Sequence, residues 1–417
     1  MPSLSSSNRS QLSYKLEGTY PTNFGVMQGG NGTLLGMTSE TLDATYKQES
    51  SKEIRSDRQT PDIVQVSASS QGGFGFEHKY REYDPFIQGV LQQDFTAYGT
   101  AGVSASIATL TLASGTITAG VAPTGSDAFS GLQKGQWFSI IPPAGASDVV
   151  KLYLAGRPFR VSTVTAPTTT VITLDTATPI DTSKAGVAIS AGFIATSRAT
   201  NGNTMKSYTI EVQHADISVF RQYTGMVPSK MDLKLSVGSI VTGTFDFMGK
   251  GFVLATTTGM GGSPVASQTF TPANATKGVF DIFENGASIG VTTFIKSADF
   301  TIDNTLRAQE AIGVFGNAGI AAGTMKITGK LEVYFADTVI YAKLLNGAAS
   351  SLSIPILDVD GNGYVYYFPR IKYTAAKVNA GGLDQDNMLS MDFQALPDIT
   401  TGSPTLGVSV VIYRVGA

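Results

Sequence analysis

The sequence predicts a mainly β protein: two tandem β-sandwich domains, each with one short helix, plus an inserted small domain of β-barrel or immunoglobulin-like type. Three observations predict it. Gly occurs 46 times in 417 residues and only 15% of residues are charged; with abundant Thr, Ser, Ala and Val, this is the composition of β-branched strands broken by frequent turns. Two distant stretches share one pattern of strands, turn and proline. Between them lies a long segment with a texture of its own.

Composition bounds the rest. The chain is long enough for two or three domains, each with a core. It holds no Cys, which excludes disulfides, thiolate nucleophiles and Cys-based zinc sites. The formal charge of −3 points neither to a strongly basic nucleic-acid surface nor to an acidic tail. No apolar run approaches the roughly 20 residues of a membrane-spanning helix. The opening "MPSLSSSNRSQLSYKLEG" lacks an apolar h-region, so no secretory signal is expected. A charged fraction well under the usual value of about 25% suggests that much surface is buried between subunits.

The repeat comes first. "FRQYTGMVPSKMDLKLSVGSIVTGTFDFMG" from Phe220 and "GYVYYFPRIKYTAAKVNAGGLDQDNMLSMDFQAL" from Gly363 share an order of features. Each has an aromatic strand, Pro, a basic residue amid alternating apolar positions, a Gly turn, and a strand with a Phe-Asp-Phe or Met-Asp-Phe core. Tyr223 precedes Pro228 as Tyr364 precedes Pro369, by five residues in both cases. Upstream, Phe74–Phe95 echoes Gly329–Ala348: an alternating strand, then an Asp at a helix N-cap. Asp84 precedes Pro85, suited to a first helical turn, and Asp337 precedes Thr338. Phe86, Ile87, Val90 and Leu91 would form one apolar helix face; Val339, Ile340, Leu344 and Leu345 would form the other, ended by Gly347.

The halves differ in length, for 137 residues separate Leu91 from Pro228 and only 25 separate Leu344 from Pro369. The surplus reads as an insertion of short β-branched strands with Gly/Pro turns. The expected organisation is therefore a discontinuous first domain over 1–99 and 205–265, an inserted domain over 100–204, and a second domain over 266–417. Trp137, the lone tryptophan, is expected in the small inserted core.

Candidate chemistry is sparse. "LDVDGNGYVYYF", Leu357–Phe368, places Asp358, Asp360, Asn362 and Gly363 as a calcium loop would, but Pro369 stands where the closing Glu is required. Tyr364, Tyr366 and Phe368 alternate as in a strand, so a hairpin turn is the preferred reading. His78 falls in an alternating strand and His214 at a hairpin. No GxSxG elbow, HExxH or Walker loop is present. Asp384 and Asp386 resemble a glycosidase pair only superficially, lying two apart in a Gly-rich turn. No catalytic residue, metal site or cofactor is expected, and the chain is not expected to be an enzyme.

Two groups of residues resemble a known family. "SETLDATYKQESSKEIRSDRQTPD", Ser39–Asp62, continuing into "YDPFIQGVL", resembles the N-terminal signature of major tail tube proteins of long-tailed, non-contractile phages. "FTIDNTLRAQEAIG", Phe300–Gly313, with "ITGKLEVYFADTVIYAKLL", resembles their C-terminal signature. The resemblance is to the kind with two fused tube domains.

It implies a virion structural protein whose sheets join around a ring, with stacked rings forming the conduit for DNA ejection. Two units per chain imply trimeric, pseudo-hexameric rings. The implied partners are further copies of the chain, a tape measure protein, a tail terminator and distal tail or baseplate proteins. Viral DNA would pass without specific binding, since basic grips would slow it; no membrane is involved. The implied location is the virion tail, assembled in the host cytoplasm. The charged stretch "QESSKEIRSDRQ" is either a solvated loop or an arm to the adjacent ring, with Glu53, Arg55, Asp57 and Arg58 in inter-ring ion pairs. The N-terminus is a second candidate arm, and the insertion would decorate the outside. The rival reading is an all-β surface, adhesion or carbohydrate-binding module.

Overall fold

The computed structural model describes residues 5–416 except 22–30, 99–106, 142–152, 155–156, 177, 182–186, 262, 277, 280, 290–293, 337–338 and 381. The principal elements are β1 (Ser10–Leu16), β2 (Asp43–Ser50), β3 (Ile63–Glu77), α1 (Asp84–Leu91), β4 (Tyr208–His214), β5 (Val219–Ser236) and β6 (Thr242–Gly249). They are followed by β7 (Ile295–Asp303), β8 (Lys326–Tyr334), α2 (Val339–Leu345), β9 (Ala349–Leu357), β10 (Gly363–Asn379), β11 (Met388–Leu396) and β12 (Val411–Val415). The fold is mainly β, as the composition predicts.

The chain contains one unit twice. In the first, antiparallel pairing runs β2–β3–β6–β5. In the second it runs β7–β8–β11–β10. Each unit sets a hairpin, a short helix, a second hairpin and a return strand in the same order. The first half of β5 pairs with β4 and with Gly251–Ala255, and its second half pairs with β6 and β7. Likewise β10 pairs first with β9 and β12, then with β11. Each long strand thus serves two sheet layers, with bulges where it passes between them. Pro228 stands beside one such bulge, where the ladder is already irregular and a missing N–H is tolerated.

The bulges correct the alignment drawn from sequence. In β5 they fall at Tyr223/Met226 and Pro228/Lys230; in β10 they fall at Phe368/Ile371 and Tyr373/Ala375. Tyr223 therefore corresponds to Phe368 and Pro228 to Tyr373, not to Tyr364 and Pro369. The error is four residues. An even shift leaves every side chain on its original face, so alternation could not expose it.

The core explains the alternation. Met231, Leu233, Phe245, Phe300, Leu331 and Phe393 are buried on one face of the sheet. Helix α1 covers that face, with Phe86, Val90 and Leu91 fully buried and Ile87 nearly so. Gly89 allows close approach: a Cβ there would lie 2.7 Å from the Pro228 ring. In α2, Leu344 packs on the core, but Leu345 is exposed, contrary to the expected face.

Six strands lying between Ile107 and Ala195 form a separate sheet with its own apolar cluster. A bridge between Val161 and Leu174 joins its first and last strands, closing it as a small barrel. The insertion's ends are adjacent, for Ala97 and Ser197 are direct cross-strand partners.

Candidate assembly surfaces

The two units are spliced into one sheet. The second half of β5 pairs with β7 from Lys230 opposite Asp303 to Ser236 opposite Ser297. The result is a continuous antiparallel run, β2–β3–β6–β5–β7–β8–β11–β10, eight strands wide. Its outer edges are β2, with the short strand Ser39–Glu40 before it, and the second half of β10. Among the described residues β2 pairs only with β3, and Thr374–Asn379 pair only with β11. Unpaired edges of this length invite another strand.

One hairpin overshoots. The β7–β8 ladder ends at Asp303 opposite Lys326 and resumes only as a short ladder, Arg307–Gln309 with Gly319–Ala321. The loop of that short ladder packs back on the first unit through Asn317 on Gly249 and Phe315 on Tyr46, whereas β2–β3 continues to Ser50 opposite Ile63. The extra ladder residues, 46–50, add about 16 Å of reach at 3.3 Å per residue. The tip carries the charged residues singled out in sequence. Glu53, Arg55, Asp57 and Arg58 are all exposed, and Arg55 pairs with Asp57 at 2.8 Å. That hydrogen-bonded pairing holds the Asp57 carboxyl below its ordinary value. Arg58 adopts a left-handed backbone at φ 58°. Apolar side chains also face solvent along the arm: Ile54, Ile63, Val64 and Val66.

The described part of the N-terminal segment, from Ser5, lies against the first unit. Ser10–Leu16 is strand β1, paired along its whole length with β4, and Ser6 N–H donates to Asp216 at 2.6 Å.

The face of the eight-stranded run away from the core is polar. Lys230 pairs with Asp232 at 2.6 Å, and Asp232 also accepts from Thr301 and from Thr244. The hydrogen bond to Asp232 raises the Lys230 ammonium above its ordinary value. Partial burial raises the Asp246 and Asp299 carboxyls. Acids and bases are interspersed, so this wall offers no cluster of basic side chains.

The units are also locked to each other through α1. The structure corrects Asp84 as an N-cap: Tyr83 occupies that place without a side-chain cap, and Asp84 is the first helical residue. Its carboxylate is engaged elsewhere, accepting from the Tyr364 hydroxyl and from Arg414. Two partners from the second unit outcompete the local amide. Arg81 N–H donates to the same Tyr364 hydroxyl at 2.8 Å, and His78 Nε2 lies 2.8 Å from the Tyr366 hydroxyl. Asn304 donates to the Val90 carbonyl at 2.8 Å, satisfying the end of α1. Asp337 lies outside the described residues.

Trp137 is fully buried, but not in the small core. It packs with Phe283, Leu357, Val365, Tyr367 and Tyr413 where the barrel meets the second unit. The Arg160 guanidinium lies 4.9 Å from the Tyr367 ring centre and pairs with Asp175 at 3.8 Å. The tryptophan joins two bodies rather than stabilising one.

The Asp-rich loop is a turn. Asp358 Oδ1 accepts from the amides of Asp360 and Asn362 at 2.9 and 2.8 Å, and the Asp358 amide donates to the Asn362 carbonyl at 2.7 Å. Burial raises this carboxyl above its ordinary value. Among the described residues no group of three or more His, Asp or Glu is placed to hold a metal ion. Among the described residues no helix is long and apolar enough to cross a membrane.

Open sheet edges, a projecting arm and a doubled unit define a β-rich building block. A family model for the phage tail tube protein matches residues 7–395, and the chain belongs to that family. It is a structural component of a phage tail tube. No curated relative matches the chain.

Proposed function

We propose that three copies of this chain close into a pseudo-hexameric ring, and that rings stack into the tail tube of a siphovirus-like phage, the conduit for DNA ejection. The observation that carries this reading is the duplicated four-strand block, spliced into one sheet and open at both ends. Head-to-tail joining of such a sheet removes its edges by closure. The polar face then lines the bore, where mixed charge gives passing phosphates little to hold. The arm over 51–62 reaches the next ring, bringing Glu53, Arg55, Asp57 and Arg58 into inter-ring contacts. The domains expected over 1–99 with 205–265, 100–204 and 266–417 keep their order, with the end of the inserted barrel drawn in from 204 to 196 because Ser197–Thr200 pair with β12; the barrel decorates the outside. The tube meets a tape measure protein within, and terminator and distal tail proteins at its ends. It is assembled in the host cytoplasm.

Electron microscopy of the concentrated protein tests the reading, with rings or tubes around a central pore as the expected result. Native mass measurement of one ring should give three chains. Particles that stay monomeric in every condition overturn it, and six chains per ring overturn the role given to the duplication.

A further inference from the structure

The two open edges, β10 and β2, are the equivalents of β5 and β7, the strands already joined inside the chain, and that correspondence specifies more than an interface. It specifies a register. Asp246 and Asp392 are equivalent, since each stands opposite the residue after a bulge, Lys230 in β5 and Ala375 in β10. On their other side they face Gly73 in β3 and Lys330 in β8. Two residues further along these strands, Gly75 faces Ser39 and Glu332 faces Ser297. Four residues in the other direction, Ser69 faces Thr45 and Lys326 faces Asp303. The edge strand of the first unit is thus mapped residue by residue onto β7.

Within the chain, β7 is bound by β5, with Lys230 opposite Asp303 and Asp232 opposite Thr301. From this internal junction we infer that β10 of one copy pairs antiparallel with β2 of the next, with Ala375 opposite Thr45, Ala376 opposite Ala44, Lys377 opposite Asp43 and Val378 opposite Leu42. The inference rests on the ring reading above and adds which residues meet.

The side chains agree with a register obtained from backbone pairing alone. On the polar face Lys377 meets Asp43, opposite charges directly across a ladder. This is the position at which Asp232 and Thr301 share a hydrogen bond inside the chain. Lys377 and Asp43 are both exposed, and neither is in an ion pair among the described residues. On the apolar face Val378, 38% exposed although its equivalent Leu233 is fully buried, comes to lie beside Leu42, whose side chain is already buried and whose carbonyl already accepts from Arg221 and the Tyr223 hydroxyl within the chain. A slip of one residue would set Lys377 against Leu42 or Ala44, on the wrong face. A slip of two would set it against Thr41 or Thr45 and leave both charges unmatched.

Zero-length carbodiimide cross-linking of assembled wild-type rings, read by peptide mass spectrometry, tests the register. The expected product is an amide between Lys377 and Asp43 of different chains. Charge exchange supplies the second arm. Lys377→Glu or Asp43→Lys alone should raise the concentration needed for ring formation by about tenfold, as like or unmatched charges now face each other at each junction. The double variant should restore it. Rings whose Lys377 is joined only to other acids, or single variants that the double fails to rescue, overturn the register while leaving the ring intact. Absence of rings in all conditions overturns the ring reading itself, and the register with it.

Discussion

His78 Nε2 lies 2.8 Å from the hydroxyl of Tyr366, although 288 positions separate the two residues. The imidazole ends the first unit's hairpin strand β3; the phenol sits in the aromatic strand that opens β10. With the Tyr364–Asp84–Arg414 chain beside it, this contact clamps the second unit against the helix of the first.

The clamp has a pH dependence. Burial lowers the His78 pKa from 6.5 to about 4, because a charged ring would lose its water without gaining an acid. The unfolded chain therefore binds a proton near pH 6.5 while the folded one does not. Stability is full above pH 6.5 and falls as pH drops toward 4, by on the order of 3 kcal/mol. Thermal melting at pH 7 and pH 4.5 should show a smaller acid loss in His78→Gln than in the wild type. An equal loss in both would assign the acid sensitivity to other groups.

The Asp84 chain predicts an asymmetry between two substitutions. Tyr364→Phe removes the donor to Asp84 and the acceptor of the Arg81 N–H, and should cost about 1–3 kcal/mol. Asp84→Ala also leaves the largely buried Arg414 without its carboxylate, and should cost more, about 3–5 kcal/mol. Urea unfolding at neutral pH measures both. Equal costs would mean that Arg414 finds another partner.

Much of this was legible in the sequence, and the limits have physical causes. Periodicity of two exposed the strands and which residues face the core, as with Phe245 and Phe393. The Asp-Gly-Asn-Gly stretch was readable as a turn because its missing Glu and its alternating aromatics are local facts. Local signals also misled. Asp84 before Pro85 reads as a cap, yet its partners are Tyr364 and Arg414, which no spacing brings near. Trp137 lies in sequence among the apolar residues of the insertion, but its neighbours come from the second unit. Bulges, which set the true equivalence of the repeats, depend on pairing between strands and leave no mark on alternation. For the same reason nothing in the sequence marks Lys377 and Asp43: their significance appears only once both ladders are in register.

The arm predicts a separation of stacking from ring closure. Arg55→Glu with Arg58→Glu reverses charge at the tip of the arm, beyond residues 42–45, which the ring junction uses. Single rings should persist in native mass measurement, while micrographs show few tubes. Wild-type tubes should also lose length as salt rises, because exposed ion pairs are screened within about 10 Å at 0.1 M. Unchanged tube length in the variant would return the tip to a solvated loop.

The adjacency of Ala97 and Ser197 makes the inserted barrel removable. Replacing residues 98–196 by a short Asn-Gly-containing turn keeps the pairing of Ser197–Thr200 with β12 and joins two strand ends that already lie side by side. If the barrel is external decoration, rings and tubes should form with a smaller outer diameter and an unchanged bore. The excised protein should nevertheless be less stable, because Trp137 leaves Phe283, Tyr367 and Tyr413 uncovered. A loss of about 3 kcal/mol or more is the scale of emptying a buried aromatic site. Lysine or threonine in place of Tyr367 in the excised chain should recover solubility without altering the rings. Stable monomers that no longer form rings would place the barrel in the ring contact instead.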